Sequence, residues 1–233
     1  MSSFPYRLAN HARVCVVREG AVFLDLRQDA YLGIDATQAR ALAPLIEGWP
    51  IRDHASTDDA SEFADGLRVR GLLVRASRRP GVATLATHAV LPAPREELIA
   101  WDEMSPHHIT LMHVLTFLRV YVLARLQLRF LKLERIVHAH QPTGTERDFD
   151  FERARLLTSA YQYIRTWVFA RKGKCMLDSL TMLKFLAHYG VRPAWVIGVQ
   201  VRPFSAHSWL QYRHWVLNGT PAFVRAYAPI LVS

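Results

Sequence analysis

Residues 174–190 read KCMLDSLTMLKFLAHYG, and residues 191–219 read VRPAWVIGVQVRPFSAHSWLQYRHWVLNG. Apolar side chains in the first stretch recur at three- and four-residue spacing, which predicts a helix from Cys175 to about Tyr189. Gly190 suits the left-handed residue that closes a helix. The second stretch predicts strands at Ala194–Val201, His207–Tyr212 and His214–Leu217, with a further candidate at Phe223–Ile230. Helices first and an antiparallel sheet afterwards predict an α+β fold.

Upstream the pattern is mainly helical from Trp101. The apolar stretch Ile109–Leu133 is interrupted by Arg119, Arg125, Arg129 and Lys132. Four full charges make a bilayer span costly, so the stretch reads as a long core helix with one solvated basic stripe and no membrane span is expected. A polar turn at Gln141-Pro142-Thr143-Gly144 precedes a helix over Phe151–Phe169, with Leu156, Leu157, Tyr161, Ile164 and Val168 on its apolar side.

The first 77 residues form their own pattern. Val14–Val17 and Ala21–Leu26 are apolar runs separated by Arg18-Glu19-Gly20, a hairpin cue. A third short strand, Tyr31-Leu32-Gly33-Ile34, follows the polar Gln28-Asp29 turn. Thr37 is placed to cap a helix burying Ala41, Leu42, Leu45 and Ile46, which Gly48 and Pro50 stop. A second helix over Asp58–Val69 sets Phe63 and Leu67 four apart, Gly71 ends it, and Leu72-Leu73-Val74 returns as a strand. Residues 1–77 are thus expected to form a small winged-helix-like α+β unit. Proline and glycine without periodicity mark 78–97 as a linker, leaving 98–233 as the second domain.

The chain has 233 residues, 51% hydrophobic and 21% charged, a globular composition that excludes disorder and disulfide-stapled scaffolds. Its two cysteines, Cys15 and Cys175, suggest neither a disulfide framework nor a zinc knuckle. MSSFPYRLANHAR lacks the apolar core of a secretory signal; a cytoplasmic location is expected. The net charge is +9, but residues 1–80 carry eleven cations against ten anions, so the excess lies downstream. A winged unit this close to neutral is poorly suited to nucleic acid. After Asp178 no carboxylate side chain occurs. His107, His108, His113, His138 and His140 lack any H-E-x-x-H or C-x-x-C frame and read as solvated or capping residues, with no metal expected. No phosphate loop, dinucleotide motif or G-x-S-x-G is present, so no cofactor is expected.

Cys175 sits where the basic segment Arg171-Lys172-Gly173-Lys174 turns into an apolar helix. A thiol at a helix N-terminus meets the positive end of the backbone dipole, which together with Lys172 and Lys174 favours the reactive thiolate. A buried structural cysteine is the alternative. His207 opens a strand after Arg202-Pro203-Phe204, a rigid mount for a base, although a packed histidine would look the same. Trp209 falls on the same strand face. If Tyr212-Arg213 is the tip of a hairpin, paired positions place Asn218 opposite His207, where its amide could orient the imidazole as in a Cys-His-Asn arrangement. Asn218-Gly219 reads equally well as a plain turn.

Taken together, Lys174-Cys175-Met176-Leu177, Ser179-Leu180, Gly190-Val191, Gly198-Val199, Pro203 through Trp209 and Val216-Leu217-Asn218 resemble the maturation B protein of lasso peptide pathways. That family is a transglutaminase-like, papain-type cysteine leader peptidase, and the likeness covers roughly 150–233. The N-terminal unit separately resembles the precursor-recognition element of ribosomal peptide pathways, through Val22-Phe23-Leu24-Asp25, Tyr31 to Ile34 and the Thr37–Leu45 helix. The resemblance implies Cys175 as nucleophile, His207 as base, and a leader peptide added as a strand near Tyr31, Leu32, Gly33, Ile34 and Leu67. It implies two partners, the lasso precursor's leader and an asparagine-synthetase-like cyclase that uses the ATP. The family's Asn-Asp dipeptide is Asn218-Gly219 here, so Asn218, a carboxylate from elsewhere, or no residue completes the triad. A leader-binding scaffold without peptidase activity is the alternative function.

Overall fold

The computed structural model describes residues 4–50, 59–76, 91–99, 109–140, 150–168 and 174–233. Most of the expected linker, the turn at 141–144 and the Arg171–Gly173 segment lie outside them.

The described chain is α+β throughout. Strand β1 (Tyr6–Leu8) precedes a meander of β2 (Ala12–Val17), β3 (Gly20–Asp25) and β4 (Ala30–Asp35). All pairs of the meander are antiparallel, with Cys15 opposite Val22 and Phe23 opposite Leu32. Gly20 ends the first hairpin at φ +148°, where a Cβ would strike the Ile34 carbonyl, so glycine is needed there. Helix α1 (Ala36–Ala41) is capped by Asp35, not by the expected Thr37. Asp35 accepts from the Gln38 amide at 2.8 Å while the Gln38 side chain accepts from the Asp35 N–H at 3.2 Å. That reciprocal box satisfies two otherwise orphaned donors and outcompetes a lone threonine. Helix α2 (Ala60–Val69) follows, then β5 (Leu73–Arg75), which pairs antiparallel with β1, a strand that the apolar pattern did not announce.

A second sheet has the order β10-β7-β8-β9-β6. Its members are β6 (Glu96–Glu97), β7 (Ala194–Gln200), β8 (Ser205–Tyr212), β9 (Trp215–Val216) and β10 (Ala228–Val232). Residues 96–97, expected as linker, pair in parallel with Trp215–Val216. The last strand starts five residues later than expected. Thr220 caps, and Pro221 opens, the one-turn helix α7 (Pro221–Val224), using residues that the apolar pattern assigns to a strand. Packed beside this sheet are α3 (Leu111–Phe130), α4 (Leu133–Ala139), α5 (Phe151–Arg165) and α6 (Cys175–His188). Extended backbone at Leu131 and Lys132 separates α3 from α4, so the expected single helix to Leu133 is two.

Helix α3 departs from the expectation of a core helix. Phe117, Val120 and Ala124 are buried, but Leu111, Met112, Leu115, Leu118, Val122, Leu123, Leu126 and Phe130 are exposed. Arg119, Arg125 and Arg129 sit among them. Among the described residues it is the one helix long and apolar enough to cross a bilayer. Because it is apolar nearly all round, its sequence pattern could not say which side the core would take.

Strand β3 joins two cores. Ala21 and Phe23 face a core completed by Leu42, Ile46, Trp49, Leu67 and Leu73. Val22 and Leu24 face the opposite way, with Cys15 and Leu26, into the core of α3, α5, α6 and β7. All six residues of β3 are buried, as two-sided packing of a period-2 strand requires. The Leu26 carbonyl accepts the Glu134 amide at 2.9 Å, and Arg27 pairs with the Glu134 carboxylate at 3.1 Å.

Candidate active site

Cys175 is the first residue of α6, half-buried. The Asp178 amide reaching the Lys174 carbonyl at 2.9 Å closes the first helical turn, and the N–H groups ahead of it have no partner inside the helix. One turn on, the Ser179 hydroxyl donates to the Ser208 carbonyl at 2.8 Å. This bond clamps α6 to β8 one residue from His207.

Alternation along β8 decides where His207 points. Leu210 joins the core beneath α6, and the Ser208 hydroxyl accepts from Trp195 Nε1 at 2.8 Å on that side. Trp209 belongs to the opposite face, with Val196, Val216 and Val224. His207 shares the Trp209 face, as expected. Its ring stacks at 6.1 Å on Trp209, meets Phe223 edge-on at 4.9 Å and lies 5.3 Å from Tyr227. Gly198, opposite His207 on β7, makes room for this nest, since a Cβ there would come within 2.7 Å of Trp209 and 2.9 Å of Tyr227. Burial lowers the His207 pKa below the ordinary imidazole value, which keeps the ring neutral. Its Nε2 is buried with no hydrogen-bond partner. The structure therefore does not join His207 to Cys175 by a hydrogen bond.

Nor does it join His207 to Asn218. The hairpin turns at Arg213-His214, with Arg213 at φ +50°, so Gln211 pairs with Val216 and Tyr212 with Trp215. This register lies two residues beyond the expected one. Asn218 is drawn instead into a buried polar network. Its Oδ1 accepts the Leu210 amide at 2.7 Å, and its Nδ2 donates to Ser179 Oγ at 3.0 Å. Next to it Asp178 accepts from the Tyr161 hydroxyl at 2.9 Å and pairs with Arg165 at 3.2 Å. Burial raises the Asp178 pKa, while Arg165, Tyr161 and Asn218 pull it back. Gln162 donates to the Leu217 carbonyl at 2.8 Å, tying the same loop to α5. Tyr161 and Arg165 carried no functional signal in the sequence beyond their i, i+4 spacing, because their partner is 13 or more residues away.

The expected leader-binding residues divide between two surfaces. Leu32, Gly33, Ile34 and Leu67 line a groove of about 510 Å³ between β4 and α2, together with Phe63 and Arg70. Tyr31 turns away from it and packs against Phe204 with ring centroids 5.5 Å apart. Its phenol is pushed up to about 12 by burial, with the nearby charges of Asp29 and Cys175 adding to the effect. Among the described residues, no strand pairs with the outer edge of β4.

No group of three His, Cys, Asp or Glu side chains suited to a metal occurs among the described residues. His113 is a capping residue, exchanging bonds with Thr110 at 3.2 and 3.3 Å. His140 is held by the Ile136 carbonyl at 2.7 Å and faces Lys184 at 3.2 Å.

The family model of the transglutaminase-like superfamily matches residues 117–232. This half of the chain is a transglutaminase-like domain. The match starts within α3, well before the resemblance noted at 150, and holds both Cys175 and His207. No curated protein and no solved structure matches the chain. The transglutaminase-like superfamily includes cysteine peptidases, and a thiol at the start of a helix, clamped to a histidine-bearing strand, is compatible with that chemistry.

Proposed function

We propose that this chain is a cytoplasmic leader peptidase of lasso peptide biosynthesis. Residues 1–77 act as a winged-helix-like recognition unit, and 98–233 as the peptidase. The observation that carries the reading is the division of labour along β4. Leu32, Gly33 and Ile34 border a groove, while Tyr31, next in the same strand, packs on Phe204, the residue before the strand of His207. A leader adding to the free edge of β4 gains main-chain hydrogen bonds, with pockets for alternate side chains, and its following residues are led to the thiol.

In the reaction the Cys175 sulfur bonds to the carbonyl carbon at the leader–core junction, and first-turn N–H groups of α6 receive the developing oxyanion. The thiol proton passes to His207, whose ring must first leave its nest against Trp209, Phe223 and Tyr227, then to the departing amine as the C–N bond breaks. Water hydrolyses the resulting thioester. The unpartnered, neutral His207 Nε2 has the right protonation state for a base, and catalytic hydrogen bonds commonly close only in the substrate complex. An asparagine-synthetase-like cyclase using ATP is the proposed partner that takes the product.

A second reading, a leader-binding scaffold without peptidase activity, is favoured by Asn218, whose amide is committed to Leu210 and Ser179. Mass spectrometry of the cognate precursor incubated with this protein separates the two, with Cys175→Ala as control and cyclase plus ATP in half the samples. Loss of the leader mass that disappears in Cys175→Ala supports the peptidase. Intact precursor in every tube, with leader binding retained, establishes the scaffold.

A further inference from the structure

We infer that the exposed face of α3 docks onto a bilayer surface carrying anionic headgroups, with the helix lying along that surface and not crossing it. The inference stands apart from the peptidase reading and from the groove beside β4.

Leu111, Leu115, Leu118, Val122, Leu126 and Phe130 are exposed and recur every three or four residues. They therefore form one apolar stripe along a helix of 20 residues, about 30 Å long. A contiguous exposed apolar patch of this extent marks a contact surface. Arg119 lies four residues from Leu115 and three from Val122, Arg125 three from Val122, and Arg129 three from Leu126. At those spacings the three exposed arginines stand among the apolar side chains of the same face. Helix α3 holds no Asp or Glu, and none of the three arginines pairs with a carboxylate among the described residues.

This charge pattern selects the occupant. A second copy meeting the face about a two-fold axis would set the arginines of both copies together without an anion. A protein partner would need carboxylates at matched positions within a dry apolar surface, where an unmatched guanidinium is costly. Headgroup phosphates meet the three arginines at any register, while the arginine stems lie along the apolar stripe. The inner side of α3 keeps the helix from entering the bilayer end-on. Phe117, Val120 and Ala124 are buried, and the Phe117 ring lies 5.4 Å from that of Tyr161, whose hydroxyl is bonded to Asp178. Anchored in the domain by that side, α3 presents the other as an interfacial helix does. The excess of cations downstream of residue 80 adds attraction at longer range.

The test is co-sedimentation of the native full-length chain with vesicles of phosphatidylcholine alone, or of phosphatidylcholine and phosphatidylglycerol in equal parts. No precursor is present, so the outcome is independent of cleavage. A basic residue held at an anionic surface strengthens binding about fivefold, so the wild type should prefer the anionic vesicles by about a hundredfold. Replacing all three arginines, Arg119→Gln with Arg125→Gln and Arg129→Gln, should remove that preference. Leu118→Ser with Leu126→Ser should weaken binding to both lipids by about tenfold, because buried hydrocarbon is lost. The substituted side chains are exposed, and thermal unfolding checks that each variant is folded; should the serine variant not fold, the arginine variant decides alone. A wild-type chain left in the supernatant with anionic vesicles overturns the inference and leaves the face to an acidic protein partner. Equal binding to the two lipids, or binding that survives loss of the three arginines, overturns it as well.

Discussion

Asn218 Nδ2 donates to Ser179 Oγ at 3.0 Å, and the Ser179 hydroxyl passes on to the Ser208 carbonyl at 2.8 Å. A loop, the helix that begins with Cys175 and the strand that carries His207 are thereby fixed to one another through two side chains. Asn218 holds these parts of the candidate site in place through Leu210 and Ser179, with no hydrogen bond to the imidazole.

Asn218→Ala should leave the Leu210 amide without a partner and Ser179 without its donor. Unsatisfied buried groups cost about 1–3 kcal/mol each, so thermal unfolding should come several degrees lower. Asn218→Asp should also destabilise, because it sets a second carboxylate beside buried Asp178. Wild-type thermal stability in either variant contradicts this role.

Placing an acid at the next position should not repair a triad. Gly219 has φ +143°, a conformation that L side chains rarely adopt. Gly219→Asp is expected to lower the melting temperature without raising turnover, and a gain in precursor cleavage would refute that.

Gly198→Ala forces a Cβ against Trp209 and Tyr227 at less than 3 Å. Overpacking of this kind costs about 1–3 kcal/mol. The shift of Trp209 should change the near-ultraviolet circular dichroism as well as the denaturant midpoint. An unchanged spectrum would show that the nest around His207 tolerates the methyl.

The His207 pKa is lowered in the folded chain by burial, whereas the unfolded chain titrates near the ordinary value of about 6.5. Between the lowered value and about 6.5 the unfolded state binds more protons, so stability falls as the pH drops through that window. His140 is lowered in the same direction and contributes too. His207→Phe should flatten part of the dependence in urea titrations at pH 5 and pH 7.5, and an unaltered slope would count against a buried neutral imidazole.

The cysteines should separate cleanly. Burial pushes the Cys15 thiol up to about 11, and the residue lies in the core it shares with Val22 and Leu24. Iodoacetamide at neutral pH should label Cys175 in the native protein and Cys15 only after unfolding. Equal labelling of both under native conditions would contradict the packing of β2.

Much of this architecture could be read before the structure. The Cys175 helix, its glycine stop at 190, the β7 and β8 strands and the meander all follow from period and punctuation. The missed elements were β1, β6, α4 and α7, each seven residues or shorter, where pairing partners or a cap outweigh any periodic signal. For the candidate site the sequence offered residue types and not their geometry. The place of Asn218 depends on a turn in which Arg213 takes a positive φ without being glycine, and that moved the register by two. The exposure of α3 was hidden for a different reason, since an all-round apolar helix does not declare its buried side.

Strand β3 has a consequence for the history and engineering of such chains. A graft of residues 1–76 onto another transglutaminase-like domain would carry Cys15, Val22, Leu24 and Leu26 to a surface never shaped to receive them. The N-terminal unit and the transglutaminase-like domain are tied through one shared strand, and on the proposed leader-binding reading a new specificity is more readily reached by changing residues within the groove than by exchanging the module that holds it.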